Sequence, residues 1–170
     1  MARKSSLRDF QTYLAGRLND AAHGAATSSW LGLEAAGESW LVDLSDGGEI
    51  VQAPQLAAVP LTRSWFAGMA NVRGSLHAVT DFSAFLGGTP TPLNANARLL
   101  LIGTRHASNA ALLVSRLLGL KSPETFRALP VDDSRPSWGE HAYSDASGRV
   151  WHKLSVSALL ADQNFMNIGV

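Results

Sequence analysis

Histidines and carboxylates are the side chains of this sequence whose spacing is closest to that of a catalytic or metal site. Glu140 and His141 are adjacent, Asp145 follows shortly after, and His152 falls in the next apolar segment. An imidazole beside a carboxylate can act as a general base or bind a metal ion. None of the histidines, however, forms the His-x-His, His-Glu-x-x-His or His-x3-His spacing that gathers ligands on one face. We therefore interpret all five as surface or strand residues: His23, His77, His106, His141 and His152.

Other catalytic chemistries lack their motifs. The chain has no cysteine, which excludes disulfides, thiolate zinc sites, iron–sulfur clusters and a cysteine nucleophile. It contains no G-x-S-x-G nucleophile elbow, no G-x-x-x-x-G-K-[ST] phosphate loop and no G-x-G-x-x-G fingerprint. The adjacent carboxylates Asp132 and Asp133 lie in a polar loop that we interpret as solvated. The sequence thus predicts no cofactor and no metal, and it favours a protein that is not an enzyme.

The balance of charge and hydrophobicity favours protein partners. The formal net charge is zero, 16% of residues are charged and 46% are hydrophobic. Such a weakly charged surface suits a protein that is covered by partners, the alternative being a slightly adhesive monomer. Without a basic patch the five tryptophans are weak evidence for nucleic acid. No apolar run approaches the roughly 20 residues of a membrane span and no signal peptide is recognisable, so we expect a cytoplasmic protein without direct membrane insertion.

An arginine lies in the turn of the hairpin predicted for residues 68–80. Two short apolar strands flank Arg73, Gly74 and Ser75, and the glycine supplies the backbone freedom that a tight turn needs. Asp81 then caps a short helix that stops at the glycines of residues 87–88. A charged side chain at the tip of an otherwise uncharged hairpin indicates either a solvated turn or a partner.

Short strands and frequent turns dominate the rest of the chain. Apolar residues alternate over a hairpin at 30–44, and two strongly apolar strands follow at 98–104 and 110–120. A last strand over 150–154 leads into a C-terminal helix, capped by Ser155 or Ser157. The many short strands indicate a mainly β fold, and the Pro/Asn-rich break at 89–96 favours two small barrels over one sandwich.

The predicted domain organisation follows from these elements. Residues 1–29 comprise an N-terminal amphipathic helix over 5–20 and a linker, and the helix either packs on the body or binds a partner. Residues 30–170 form the main domain. Its predicted parts are lobe one over about 30–90, lobe two over about 91–155 and the C-terminal helix over 156–164.

The stretch from residue 64 to 88 resembles the motif of the CheW family, the adaptor proteins of bacterial chemosensory arrays. The family pattern has a glycine, two apolar residues, Asn-Leu-Arg-Gly, and a strand that ends in Asp-Leu before a short helix. The corresponding residues here are Gly68, Asn71-Val72-Arg73-Gly74 and Asp81-Phe82, with Glu49-Ile50 at the place of the family's upstream Glu-Ile pair. The resemblance extends over roughly residues 30–162.

The chain departs from the family pattern at two places. His77-Ala78 stands where an apolar-Pro step is usual, and Val114-Ser115 stands where Val-Asp is usual. The predicted helix before Trp30 is an addition to a minimal family member. With these features the sequence is most similar to the branch of the family that serves the chemosensory system of type IV pili.

The resemblance implies both a fold and a function. The fold would be two small five-stranded, SH3-like β-barrels with a hydrophobic seam, an added N-terminal helix and a C-terminal helix. The function would be that of a non-catalytic adaptor, which binds the regulatory domain of a CheA-type histidine kinase and the cytoplasmic tip of a methyl-accepting chemoreceptor. In a chemotaxis-like system that controls twitching motility, such an adaptor would be cytoplasmic and recruited to the inner membrane by receptor arrays.

The resemblance also implies a partner-binding surface. In the family, the positions of Glu49 and Arg73 face each other on the receptor-facing part of one barrel. We therefore expect an ion pair in which the guanidinium donates two parallel hydrogen bonds. Apolar neighbours would complete the surface, unless they belong to the barrel core. The candidate set is Glu49, Ile50, Phe66, Met69, Asn71, Val72 and Arg73.

Two other classes of function stay open on the sequence. A free-standing ligand-binding β-barrel predicts a closed cavity, lined by tryptophans and holding converging polar groups. A hydrolase that uses His141, His152 and a carboxylate predicts these side chains within hydrogen-bond distance of one another.

Overall fold

The computed structural model describes Gln11, Leu14 and residues 29–170. The predicted helix over 5–20 and its linker lie outside the described residues, apart from Gln11 and Leu14, which are helical, and residue 29. The strands are β1 (Trp30–Ala35), β2 (Glu38–Asp43), β3 (Gly47–Gln52), β4 (Phe66–Val72), β5 (Ser75–Asp81), β6 (Arg98–Ile102), β7 (Ala110–Val114), β8 (Arg116–Lys121), β9 (Arg127–Ala128), β10 (His141–Ser144) and β11 (Val150–Leu154). The α-helices are α1 (Phe82–Phe85), α2 (Val156–Ala161) and α3 (Gln163–Met166).

Six strands form one sheet, in the order β8-β1-β2-β11-β10-β9. Its first hairpin turns at Ala36 and Gly37, whose φ angles of 54° and 72° are those of a tight two-residue turn. The hairpin predicted for residues 30–44 is therefore present. Its residues are buried on both faces rather than on alternate ones, because Trp40 packs on the neighbouring sheet while Leu41 packs inside its own.

Five strands form the other sheet, in the order β3-β6-β7-β5-β4. The chain itself bridges the two edges of this sheet. Ala57, in the segment after β3, exchanges backbone hydrogen bonds of 2.8 and 2.9 Å with Met69 of β4. Gly68 is needed beside this contact, because its φ is 129° and a Cβ atom there would overlap the carbonyl oxygen of Ala57. The sheet therefore curls on itself. We call β3–β7 the central barrel, and β1, β2 and β8–β11 the terminal barrel.

Three apolar clusters fill the molecule. Small and aliphatic side chains such as Ala70, Val79 and Leu99 fill the central barrel. Trp30, Leu41 and Trp151 fill the terminal barrel. The largest cluster lies between the barrels and forms the predicted hydrophobic seam; its members include Leu33, Trp40, Phe82, Leu112, Trp138 and Leu154. The predicted fold class is confirmed: the protein is mainly β, with two small sheets and few helices.

The predicted lobes do not match the two sheets, so this division of the chain is a wrong prediction. β1 and β2, placed in lobe one (about 30–90), belong to the terminal barrel, whereas β6 and β7, placed in lobe two (about 91–155), belong to the central barrel. The predicted strand over 110–120 is two strands, because the chain leaves the central barrel at Ser115. Its N–H donates to the carbonyl oxygen of Glu34 at 2.9 Å. Local composition identifies a loop such as 89–96, but it does not show which strands before the loop pair with which strands after it.

The terminal barrel and the C-terminal helix also differ in detail from the prediction. The terminal barrel has six strands rather than five, the additional strand β9 being two residues long. Ser155 caps α2 by accepting a hydrogen bond from Ala158 N, as one of the two predicted caps. Asp162 then interrupts the helix predicted over 156–164, because its backbone is extended and its carboxylate caps α3. That carboxylate also accepts a hydrogen bond from Trp138 Nε1 at 3.0 Å, which fixes the helices to the seam.

Candidate protein-interaction site

The β4–β5 turn consists of Arg73 and Gly74, with φ angles of 52° and 84°. Val72 pairs with Ser75, so Ser75 belongs to β5 rather than to the predicted turn. Asn71 Oδ1 accepts a hydrogen bond from Gly74 N at 2.9 Å and fixes the turn. A left-handed backbone costs a non-glycine residue about 1–2 kcal/mol. Ala36 has the same conformation in the turn between β1 and β2, so the angle identifies a tight two-residue turn and not by itself a function.

Arg73 and Glu49 form the predicted ion pair. Arg73 Nη1 donates to Glu49 Oε2 at 2.9 Å, and Arg73 Nη2 lies 2.5 Å from Glu49 Oε1. The two parallel contacts match the planar fork of a guanidinium to a carboxylate. The arginine side chain is 75% exposed and the glutamate 37% exposed, so the pair faces solvent.

The ion pair joins the two edges of the central barrel. Glu49 lies in β3 and Arg73 directly follows β4, and these are the two edge strands of the sheet. Together with the Ala57–Met69 contact, the pair brings the edges together at the tip of the hairpin. A partner that contacts Arg73 at the tip of the hairpin therefore also lies beside Glu49 of β3.

The other predicted site residues differ in their exposure to solvent. Asn71 is exposed beside the pair, and Met69 and Val72 are half-buried, Val72 against the central-barrel core. Ile50 is half-buried and packs against the seam. Phe66 is 7% exposed at the opposite end of β4 from the turn, so the structure places it in the interior. The predicted surface is thus the hairpin tip with Glu49, and it does not include Phe66.

Leu76 is an exposed apolar residue at this tip that the sequence reasoning missed. It lies directly opposite Asn71 on β5 and is 57% exposed. A strand residue that projects beyond the covered part of a sheet cannot be told from a core residue by apolar character alone. Its position next to the turn was the feature of the sequence from which its exposure could have been inferred.

The histidines of the hydrolase hypothesis do not converge. Cross-strand partners share a face of a sheet. His141 lies opposite Lys153, whereas His152 lies opposite Ala142, so the two imidazoles point to opposite faces. His141 Nε2 is 3.6 Å from the nearest carboxylate oxygen, that of Glu140. This separation excludes the shared acid–base site that the hypothesis requires.

His152 lies near a salt bridge rather than near a catalytic partner. Arg135 donates to Glu38 at 2.8 Å, and His152 Nε2 is 3.9 Å from the same carboxylate. Burial lowers the pKa of His152, and the positive charge of Arg135 lowers it further against the opposing effect of Glu38. The imidazole is therefore held in its neutral form as part of the packing.

The tryptophans do not line a closed cavity. Trp30 and Trp151 fill the terminal barrel, Trp40 and Trp138 pack in the seam, and Trp65 packs on Phe85 and Phe165. An open groove of about 560 Å³ runs past Phe85 and Trp138, and its polar wall is the neutralised pair of Glu38 and Arg135. The geometry expected of a ligand-binding barrel is thus absent from the interiors of both barrels within residues 29–170.

Two absences concern Gln11, Leu14 and residues 29–170, the part of the chain that the structure describes. No group of three or more histidine, aspartate or glutamate side chains there could hold a metal ion. No helix among those residues is both long enough and apolar enough to cross a membrane.

The family model of the CheW-like domain matches residues 29–164. The chain belongs to the CheW-like family. Protein PilI of Pseudomonas aeruginosa is 27% identical over 150 residues, which cover 85% of this chain and 83% of PilI. The crystal structure of the scaffolding protein TtCheW from Thermoanaerobacter tengcongensis has a similar fold, with a TM-score of 0.65 at 16% identity over 79% of this chain and 88% of TtCheW.

These similarities confirm the resemblance seen in the sequence. The match to the CheW-like domain covers nearly the range predicted from the hairpin motif and its flanks. The similarity to PilI agrees with the predicted pilus branch. The CheW-like family is a family of scaffolds, so this chain is expected to work through protein partners.

Proposed function

We propose that this CheW-like chain is a non-catalytic adaptor that couples a chemoreceptor to a CheA-type histidine kinase, in a chemotaxis-like system that controls twitching motility. The observation that carries the proposal is the bidentate Arg73–Glu49 pair at the tip of the β4–β5 hairpin. In the family that the sequence resembles, the corresponding position faces the receptor, which supports the proposal. Similarity to PilI supports the pilus system. The adaptor would be cytoplasmic and recruited to the inner membrane by receptor arrays.

The energetics of the pair favour recognition over stability. An exposed ion pair contributes about 0–1 kcal/mol to folding. That gain is comparable to or smaller than the cost of about 1–2 kcal/mol for the left-handed backbone of Arg73. A positioned charge contributes more to partner specificity than to stability. Arg73 is therefore better explained by what it contacts on a partner.

The hairpin tip has the features that a helical receptor tip would need. Leu76, opposite Asn71 on β5, is an exposed apolar side chain next to the turn, whereas Val72 lies on the other face and packs against the central-barrel core. The Arg73–Glu49 pair and Asn71 supply a polar border beside Leu76. Helices bind such surfaces with one apolar face and read the border through charge and hydrogen bonds. In this arrangement Phe66 serves the fold and the other candidate residues serve, or directly support, the contact.

A non-catalytic role is supported by the way that titratable side chains are used. His141 and His152 point to opposite faces of their sheet, and the Glu38–Arg135 pair neutralises the polar wall of the open groove. The barrel interiors are filled by apolar side chains. No specific observation favours the ligand-binding alternative.

The test is a binding measurement with two purified partners, the receptor tip and the regulatory domain of the kinase. Arg73→Glu places two carboxylates together at the turn, so we expect a folded protein that binds the receptor tip at least about tenfold more weakly. Binding of the kinase domain should be unchanged. Arg116→Glu is the matched control, because Arg116 pairs with Glu34 at 3.0 Å and is 54% exposed on the terminal barrel.

The outcomes separate the function from the site. Wild-type protein that binds neither partner would overturn the adaptor function. Wild-type binding to both, with Arg73→Glu equally active toward the receptor tip, would overturn the role of the hairpin alone. Circular dichroism of each variant shows whether the fold is retained.

A further inference from the structure

The terminal barrel carries cations that have no acidic partner. Within residues 29–170, five of the arginines and lysines form ion pairs with carboxylates. Arg63 and Arg98 instead donate to backbone carbonyl oxygens. Lys121, Arg127 and Arg149 do neither among the residues that the structure describes. All three belong to the terminal barrel, at the end of β8, in β9 and in the turn before β11.

Two of these cations converge on one indole ring. Lys121 Nζ lies 5.2 Å from the centroid of Trp151, and Arg149 Cζ lies 4.9 Å from it. Trp151 is only 2% exposed, so its ring is part of the barrel core, and the two cations approach it from the end of β8 and from the turn before β11. Cation–π attraction holds both side chains against the ring. Because the lysine and arginine side chains are already held in place, they lose less conformational entropy when a ligand binds than freely rotating side chains would.

Three carboxylates lie near these cations without forming an ion pair with them. Asp145 accepts hydrogen bonds from Trp151 Nε1 at 2.9 Å, from the hydroxyl of Ser147 and from the backbone N–H of Arg149. These bonds lower the pKa of Asp145 to about 2, with the Ser147 hydroxyl as the main cause. Asp43 is bound to Lys153 at 2.7 Å, and Glu124 lies in the turn Pro123–Thr125 after β8. The side chains of Lys121 and Arg149 can therefore still bind an external carboxylate.

We propose that Lys121 and Arg149, held over the Trp151 ring, form a docking point for an acidic segment of a protein partner. A carboxylate between an ammonium and a guanidinium would accept charge-assisted hydrogen bonds from both. Arg127 lies in β9, which β10 separates from β11, and is a third cation of the terminal barrel without an acidic partner among residues 29–170. The site lies on the terminal barrel, whereas the Arg73–Glu49 pair lies on the central barrel. It therefore goes beyond the receptor contact proposed above.

The surroundings favour a peptide over other polyanions. Nucleic acid would need exposed aromatic rings for stacking, whereas Trp30 and Trp151 are 8% and 2% exposed. An anionic membrane is attracted by clusters of about four to eight cations. The three unpaired cations fall short of that number, and the net charge of the chain is zero. A short run of carboxylates on a protein fits the size and charge of the site.

The experiment titrates the full chain with a synthetic peptide of alternating Glu and Ser, and with its Gln-for-Glu analogue. The readout is the Trp151 indole N–H signal in NMR spectra, together with the dissociation constant. We expect the acidic peptide to shift this signal and its Gln analogue to leave it unchanged. The double variant Lys121→Gln/Arg149→Gln should bind the acidic peptide at least about tenfold more weakly. Added salt should weaken wild-type binding.

Two control variants accompany the double variant. Lys121→Arg keeps the charge and should retain binding, and Arg98→Gln, on the central barrel, should be neutral. The proposal is overturned if wild-type protein does not bind the acidic peptide, or if the double variant binds it equally well. Stronger binding to phosphatidylserine vesicles or to a single-stranded oligonucleotide than to the peptide also overturns it. The receptor and kinase binding measured for Arg73→Glu is independent of all these outcomes.

Discussion

His152 is an imidazole whose surroundings oppose its protonation. Its ring centroid lies 5.3 Å from that of Trp40, and its Nδ1 atom is buried without a hydrogen-bond partner among residues 29–170. Burial is the main cause of its lowered pKa, and Arg135 adds to it. A proton on this ring would be placed in a largely desolvated position and near a guanidinium. Folding therefore selects the neutral imidazole.

This environment predicts a loss of stability in mild acid. Because the folded pKa of His152 lies below the unfolded value of about 6.5, its contribution is complete above pH 6.5. It is lost as the pH falls from there through the folded pKa. Urea unfolding of wild type should show this decline, and His152→Phe should flatten it by keeping a ring that cannot titrate.

The lowered pKa values of Asp132 and Asp145 act at lower pH, so they do not obscure the window of His152. Their contributions are present above about pH 4 and decline as the pH falls further. If His152→Phe and wild type lose stability equally between pH 6.5 and 5, another group is responsible.

The structural position of a candidate residue could be predicted from the sequence when its contacts are with residues close to it in the chain. The position of Arg73 in the turn and of Asn71 beside it could be predicted, because a two-residue turn and its flanks are encoded in adjacent residues. The pairing with Glu49 depended on family resemblance, since it joins strands at opposite edges of a sheet. The sequence left Phe66 open between surface and core, because its burial depends on how the whole barrel closes around β4.

At the scale of elements, Asp81 joins β5, α1 and the connection that follows. Its carboxylate accepts a hydrogen bond from Ala84 N, the first turn of α1, at 3.3 Å. It also accepts bonds from the backbone N–H and the hydroxyl of Thr91, both at 2.7 Å. Asp81 is 5% exposed, so these donors replace its hydration. The Pro/Asn-rich segment is thus fixed to the end of a strand.

Removing the Thr91 hydroxyl is therefore predicted to be costly. Thr91→Val keeps the shape of the side chain but removes one of the donors to a buried carboxylate, which costs about 1.5–3 kcal/mol. Thr91→Ser, the control, keeps the hydroxyl and should lose clearly less. Chemical denaturation measures both. A Val variant as stable as wild type would mean that water replaces the hydroxyl at Asp81.

The ends of strands and helices were predicted correctly where turn or capping residues mark them in the sequence, and incorrectly where no such residue is present. The hairpin turn at Ala36-Gly37 and the cap at Ser155 have local signals, and both are present. The break at Ser115 has none, because the apolar pattern continues across it from β7 into β8. Only the pairing of β7 with β6 and of β8 with β1 separates the two strands.

At the scale of the whole molecule, the two barrels are interleaved in sequence. The terminal barrel needs β1 and β2 from the first half of the chain and β8–β11 from the second. The central barrel likewise needs β6 and β7 from beyond the break at 89–96. The largest apolar cluster lies between the barrels, so neither barrel can expose that face without loss.

Fragments cut at the sequence midpoint are therefore expected to be unfolded. Residues 29–90 and 91–170, produced separately, should give collapsed NMR spectra, because each lacks strands of both barrels. The whole chain should unfold in one cooperative transition by tryptophan fluorescence and circular dichroism. A dispersed spectrum from either fragment alone would contradict this interleaved design.

The crossing at Ser115 has a mechanical consequence. A single residue spans at most about 3.6 Å, and the N–H of this one is bound to Glu34, so the connection has no slack. The two barrels cannot swing apart like domains on a hinge, and a force applied at the hairpin tip turns the body as a whole. The two barrels therefore keep a fixed relative orientation, so a partner bound to one barrel is held at a fixed angle to a partner bound to the other.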